Sequence, residues 1–285
     1  MGKQHTVENS KTTAVRADVL LANAFSEYSR AALTKLFTMD MITKDGTVLK
    51  PGDKIQPGIS IQADISALSQ KAEVIPLPIL FEDENVIVIN KPTGIISHAR
   101  GRYWDEASVA SFIRDKTAGF EGERAGIVHR LDRATSGVMI CAKNQATLSA
   151  LQKQFSQRKV HKTYTAIING VIVPKDGLID VPLARNPKNP KTFMPDIQGK
   201  EAKTQYYTKA KKDGYSVLTL HPLTGRTHQL RVHMAYMKHS IVGDQLYGGS
   251  PANRLYLHAS TLEITTPGGI RKKFEAPLPE EFLAI

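Results

Sequence analysis

The segment Gly126–Gly137, GIVHRLDRATSG, sets one carboxylate, Asp132, between Arg130 and Arg133, and two hydroxyls (Thr135 and Ser136) and a glycine follow it. Opposite charge within a few ångströms favours the ionised form of a carboxylic acid. An ionised carboxylate on a short turn can serve as a nucleophile or as a stabiliser of developing positive charge. The apolar run Val138–Ala142 reads as a buried strand, and a turn that runs into a buried strand is a common place to present reactive side chains. The same residues also suit a plain surface loop whose Asp pairs with its neighbours, because structural ion pairs perturb carboxylates too.

Other reactive side chains point to weaker chemistries. His221, His228, His233 and His258 raise the idea of a metal site, which needs three or four convergent ligands. His228 and His233 are five apart rather than four, and the chain has a single cysteine, so no metal site is expected. A glycosidase would need a second carboxylate as acid or base. Asp244, in VGDQLYG, is the tempting candidate, and it reads as part of a structural turn. Cys141, inside VMICA, excludes an internal disulfide and fits a buried thiol in a reducing, cytoplasmic compartment.

The formal net charge of +11 and a pI near 9.6 call for an anionic partner such as nucleic acid. The excess is uneven: +1 over residues 1–15, zero over 16–65 and +10 over 66–285. Lys153, Arg158, Lys159 and Lys162 form one basic cluster, and the stretch from Arg185 to Lys212 forms another, both suited to phosphate contact. No apolar run approaches the roughly 18 residues of a membrane span, and no signal-peptide core follows the N-terminus. Met1-Gly2 with Thr6 matches only the short myristoylation pattern, common by chance, and residues 1–14 are expected to be a disordered tail.

The elements that must carry these residues follow from periodicity. Residues 15–65 read as a compact unit of two helices, the second capped by Ser29, then short strands around Asp45-Gly46 and two Pro-Gly turns. Residues 66–78, with Pro76 and Pro78, read as a linker. Beyond it, ENVIVINKP, YTAIING, YSVLTLHP and LEITTPGG read as strands, and Asn144–Val160 as an amphipathic helix with Leu148, Leu151 and Phe155 on one face. Strands and helices mix without regular βαβ alternation, so residues 79–285 are expected to form an α+β domain on a mixed, mainly antiparallel sheet.

HRLDRATSG resembles the signature of the RluA family of RNA pseudouridine synthases, in which the Asp of HRLD is catalytic. NKPTGIISH (Asn90–His98) precedes it, and HKTYTAIING (His161–Gly170), LTGRTHQLRVHM (Leu223–Met234), IVGDQLYGG (Ile241–Gly249) and RLYLHASTLEI (Arg254–Ile264) follow in the family's order. The resemblance implies isomerisation of uridine to pseudouridine in structured RNA: the bond from ribose carbon-1′ to the uracil nitrogen breaks and re-forms to carbon-5. It implies Asp132 as the essential carboxylate, Arg231 as its partner and Tyr164 against the base. Attack on carbon-1′, attack on the ring and elimination to a glycal all use the same carboxylate.

Arg130 matches a residue that fills the space left by the flipped nucleotide. Gly225, Arg226 and His228 would shape the pocket near RNA, with Lys159 and Lys162 as further RNA contacts. No metal or small-molecule cofactor is implied, and a monomer is expected. Two-domain members commonly act on large-subunit ribosomal RNA, with transfer RNA as the alternative. A non-catalytic RNA-binding or ribosome-assembly protein would have no need of the Asp132, Tyr164 and Arg231 set. Residues 15–65 resemble the small RNA-binding domain of ribosomal protein S-four (the alpha-L motif), with one departure: their net charge is zero. Arg16, Arg30 and Lys35 remain as a candidate local patch.

Overall fold

The computed structural model describes residues 4–69, 74–99, 106–117, 119–120, 124 and 126–283. The chain divides into two compact units, Met1–Glu73 with Ala99–Glu106, and Val74–His98 with Ala107–Ile285. Among the described residues, no helix is long and apolar enough to cross a membrane.

The first unit runs β1 (Gln4–Glu8), β2 (Val15–Arg16), α1 (Ala17–Ala24), α2 (Arg30–Thr38), β3 (Ile42–Lys44), β4 (Thr47–Val48), β5 (Lys54–Ile55) and β6 (Ser60–Asp64). The Ser29 hydroxyl accepts the Ala32 N–H and caps α2. Asp45 and Gly46, both at positive φ, close the β3–β4 hairpin. Leu21, Leu33, Leu36, Ile42 and Ile61 are the centre of the core.

Two sequence expectations change here. Residues 4–8 belong to no disordered tail: β1 pairs antiparallel with β6 and buries Val7. Asn9 pins the next turn, because its buried amide donates to the carbonyls of Thr13 and Ile55. Met1–Lys3 lie outside the described residues. The expected linker also starts too early, since Ser66–Ser69 form a 3-10 turn whose Ala67 and Leu68 are buried in the same core. Apolar residues that can reach a core pack on it, whatever the proline content further along.

The second unit adds β7 (Ile79–Glu82), β8 (Val86–Lys91), α3 (Val109–Ile113), β9 (Ser136–Ala142), α4 (Gln145–Ser156), β10 (His161–Asn169) and β11 (Asp176–Asp180). It continues with β12 (Leu183–Arg185), β13 (Phe193–Pro195), β14 (Lys203–Lys212), β15 (Tyr215–Pro222), α5 (Gln229–Tyr236), β16 (Leu257–Thr265) and β17 (Arg271–Glu275). The main sheet has the order β11-β14-β15-β10-β16-β9-β8-β7, with β17 also on β16. Every pairing in it is antiparallel except β16 with β9. This is the α+β architecture on a mixed, mainly antiparallel sheet that the pattern implies.

The expected helix from Asn144 ends sooner than its periodicity suggests. Asn144 caps it by accepting the Thr147 N–H, and Arg158 at φ 59° turns the chain toward β10. Cys141 is fully buried on β9, and burial pushes its thiol far above the usual range, so it is a core side chain.

Candidate active site

Asp132 sits on the turn that leads into β9, where Thr135 N–H donates to its carbonyl. Two other segments, around residues 94–97 and 254–258, hold this turn. The Ser97 hydroxyl donates to the Leu131 carbonyl and accepts the Leu131 N–H. Gly94 N–H donates to the Arg133 carbonyl, and the Arg133 guanidinium returns a bond to the Gly94 carbonyl. Behind the turn, Ser136 bonds His258 Nδ1 at 2.8 Å and accepts from Arg254. Gly137 lies at φ 118° in the parallel β9–β16 pairing, where a Cβ would stand 2.2 Å from the Ala259 carbonyl. Only glycine lets the two strands approach that closely.

The fully buried Lys91 closes the back of the turn. Its ammonium donates to the carbonyls of Pro92, Ile95 and Arg133. Burial pulls its pKa down to about 7, with the charge of Asp132 working in the opposite direction. Sequence reading missed this residue, although a lysine ending the apolar strand VIVINK is an unusual placement.

Arg231 comes to the site from α5, three residues after His228, which precedes the helix in the left-handed conformation. Its Nη1 stands 3.8 Å from Asp132 Oδ2, and His228 Nε2 stands 3.9 Å from the same oxygen. The closer partner of Arg231 is another acid: Nε and Nη2 each donate to one oxygen of Asp244 at 2.7 Å. Burial works against the charge on Arg231, and the hydrogen bonds and charge of Asp244, with the charge of Asp132, hold its pKa above the ordinary value. Asp244 lies in the turn expected from VGDQLYG, accepting the N–H groups of Tyr247 and Gly249 on its carbonyl. The expectation is incomplete, because its side chain also anchors Arg231. Tyr247 covers the guanidinium at 5.0 Å and bonds His228 Nδ1 at 2.8 Å.

Asp132, Arg231, Tyr164, His228, Arg130, Arg226 and Lys162 line one cavity of about 260 Å³. Sheet register brings Tyr164 there: it pairs with Ala259, which pairs with Gly137, five residues after Asp132. Burial, and then the charge of Asp132, push the Tyr164 hydroxyl well above its usual range. Lys162, two residues earlier, donates to the Thr224 carbonyl, and burial pulls its pKa down to about 8. Gln229 locks the TGRTH loop, its side-chain oxygen accepting from the Thr224 hydroxyl and the Arg226 N–H. Lys159 is exposed on the turn after α4 and is not part of the cavity wall. The four histidines weighed as metal ligands do not gather, and no group of three or more His, Cys, Asp or Glu suited to a metal exists among the described residues.

Residues 85–236 match the family described as RNA pseudouridylate synthase. The chain belongs to this family. It is 37% identical, over 96% of its length, to "Ribosomal large subunit pseudouridine synthase D" of Borreliella burgdorferi, covering 89% of that protein. It is also 37% identical, over 82% of its length, to an "Uncharacterized RNA pseudouridine synthase" of Aquifex aeolicus, covering 77% of it. Among solved structures, "Human RNA Pseudouridylate Synthase Domain Containing 1" is similar at 28% identity and TM-score 0.60, across 73% of this chain and 86% of that one. The chain is therefore an RNA pseudouridine synthase of the RluA type, an isomerase acting on RNA. The matched segment spans Asp132, Tyr164 and Arg231.

Proposed function

We propose that this pseudouridine synthase isomerises particular uridines of large-subunit ribosomal RNA, in the cytoplasm, as a monomer and without a metal or cofactor. The target rests on its similarity, over nearly the whole chain, to relatives named for the large ribosomal subunit. The observation that carries the site is the convergence of Asp132, Arg231 and Tyr164 on one cavity.

In this reading the target uridine leaves its stack and enters the cavity, as bases must when chemistry is done on them. Asp132 meets the sugar and base while the glycosidic bond breaks. Arg231, held by Asp244, keeps a fixed positive charge beside it without closing on its oxygens. Tyr164 packs on the uracil as a protonated phenol, because its raised pKa disfavours a phenolate base at neutral pH. Lys162, Arg226 and His228 meet the nucleotide's polar edges and phosphate, and Arg130, exposed at the rim, occupies the gap left in the RNA. The small first unit adds RNA contacts through Arg16 and Arg30.

The test is to incubate the purified chain with transcribed large-subunit RNA and map pseudouridines, alongside the Asp132→Asn variant. New pseudouridines with the parent chain and none with the variant are expected. Modification confined to transfer RNA would overturn the proposed target, and an active Asp132→Asn variant would overturn the site.

A further inference from the structure

Next to the Asp132 cavity, and sharing His129 and Arg130 with it, lies a second cavity of about 640 Å³. One wall is a face of α4 presenting Gln145, Leu148 and Gln152, at helical spacings of three and four. Phe120, His98 and Arg124 complete it. Among the described residues, no acid lines this cavity, and Arg124 and Arg130 pair with no carboxylate. Among the described residues, the amides of Gln145 and Gln152 have no hydrogen-bond partner either. His98 Nδ1 is buried, and no group among the described residues hydrogen-bonds it. A buried ring nitrogen without a partner carries a desolvation cost, which a ligand that bonds it would relieve. Burial, then the charges of Arg124 and Arg130, hold His98 below its usual pKa, so its ring is neutral and can bond a neutral edge.

The wall therefore combines guanidiniums for an anion, an aromatic and an aliphatic face, and amide and imidazole groups of the kind that bond base edges. Its volume falls within the range of small-molecule sites. Arg130 belongs to both cavities, so an occupant here lies directly beside whatever occupies the first one. We propose that this cavity takes a second unstacked nucleotide of the same RNA strand, a neighbour of the target uridine. Its phosphate meets Arg124 and Arg130, its base packs between Phe120 and Leu148, and its edge meets His98, Gln145 and Gln152. The proposal rests on the RNA-modifying function above and deepens it, because the second nucleotide would make site choice depend on sequence or shape beside the target.

Two variants and one spectroscopic probe test this. Leu148→Trp fills the cavity, and Gln152→Ala, at an exposed helix position, removes one edge contact with little risk to folding. With transcribed large-subunit RNA as substrate, both should raise KM, by about tenfold for Leu148→Trp and a few-fold for Gln152→Ala, with kcat within twofold. In the full chain labelled with carbon-13 histidine, the same RNA should shift the His98 signal, and Leu148→Trp should abolish that shift. Unchanged KM in both variants, or a His98 signal that RNA does not move, overturns the proposal. A fall in kcat without a rise in KM marks a structural role and overturns it as well. If the parent chain binds the RNA and moves His98 but makes no pseudouridine, the functional reading fails and the cavity assignment stands.

Discussion

Asp244 is fully enclosed and takes Nε and Nη2 of Arg231 at 2.7 Å, whereas Asp132 is 19% exposed and stands 3.8 Å from Nη1 of the same guanidinium. One arginine thus serves two carboxylates of different kinds. Asp244 spends its oxygens on fixing the arginine. Asp132 keeps its oxygens directed at the cavity, with Arg231 and His228 close enough to act on it electrostatically but too far for hydrogen bonds. A guanidinium free to swing would close on Asp132, so the buried pair is what leaves the Asp132 carboxylate open to the cavity. Asp18, in the first unit, is a third case: Arg16 and Arg30 both hydrogen-bond it directly, and these bonds pull its pKa down to about 2. Asp132 is also bracketed by two arginines in sequence, yet among the described residues the ion pair it makes is with Arg231, and His228, whose pKa burial holds below its usual value, stands beside the same oxygen.

Substituting each carboxylate breaks this comparison most directly. Asp132→Asn should lower pseudouridine formation by on the order of 10⁴-fold or more while leaving thermal unfolding nearly unchanged. Asp244→Asn should do the reverse in stability. Stranding a buried arginine costs about 3–5 kcal/mol, which calorimetry would read as a Tm lower by roughly 10 °C. Its activity should fall too, because Arg231 is then free to pair with Asp132. If Asp244→Asn unfolds at the parent temperature, the division of labour between the two acids is wrong.

A smaller effect concerns the cavity's lysine. The charge of Lys162 is present below about pH 8 and lost as pH rises through that value. RNA affinity should weaken a few-fold across this rise, measured by filter binding at constant salt, and Lys162→Arg, charged throughout, should flatten the profile. The smallest effect belongs to the first unit. Arg16 and Arg30 are more than half exposed even while bonded to Asp18. The double variant Arg16→Gln with Arg30→Gln should weaken RNA binding a few-fold and reduce its salt dependence by about two phosphate contacts. Unchanged affinity and slope would place the RNA surface on the second unit alone, where the net charge lies.

Much of the fold was legible because it depends on local rules. The Ser29 cap, the Asp45-Gly46 turn and the apolar strands into β8 and β9 follow from propensity and periodicity. What escaped was long-range. Strand β1 has no strong pattern of its own and forms because β6 offers an edge. Lys91 reads as a strand-end lysine until the carbonyls of Pro92, Ile95 and Arg133 close around it.

The site divides in the same way. The amino-acid sequence alone determined which residues could react: a carboxylate among cations, an aromatic, an arginine and a basic second unit, carried on motifs of one family. Only the tertiary structure decided which cation meets which acid. Ion pairing depends on distances across the fold, and adjacency along the chain does not set those distances. The two arginines beside Asp132 in sequence are therefore assigned elsewhere, Arg133 to the Gly94 loop and Arg130 to the rim between two cavities. The arginine that does approach Asp132, Arg231, comes from a helix about a hundred residues further on, held in place by an aspartate that reads in sequence as an ordinary turn.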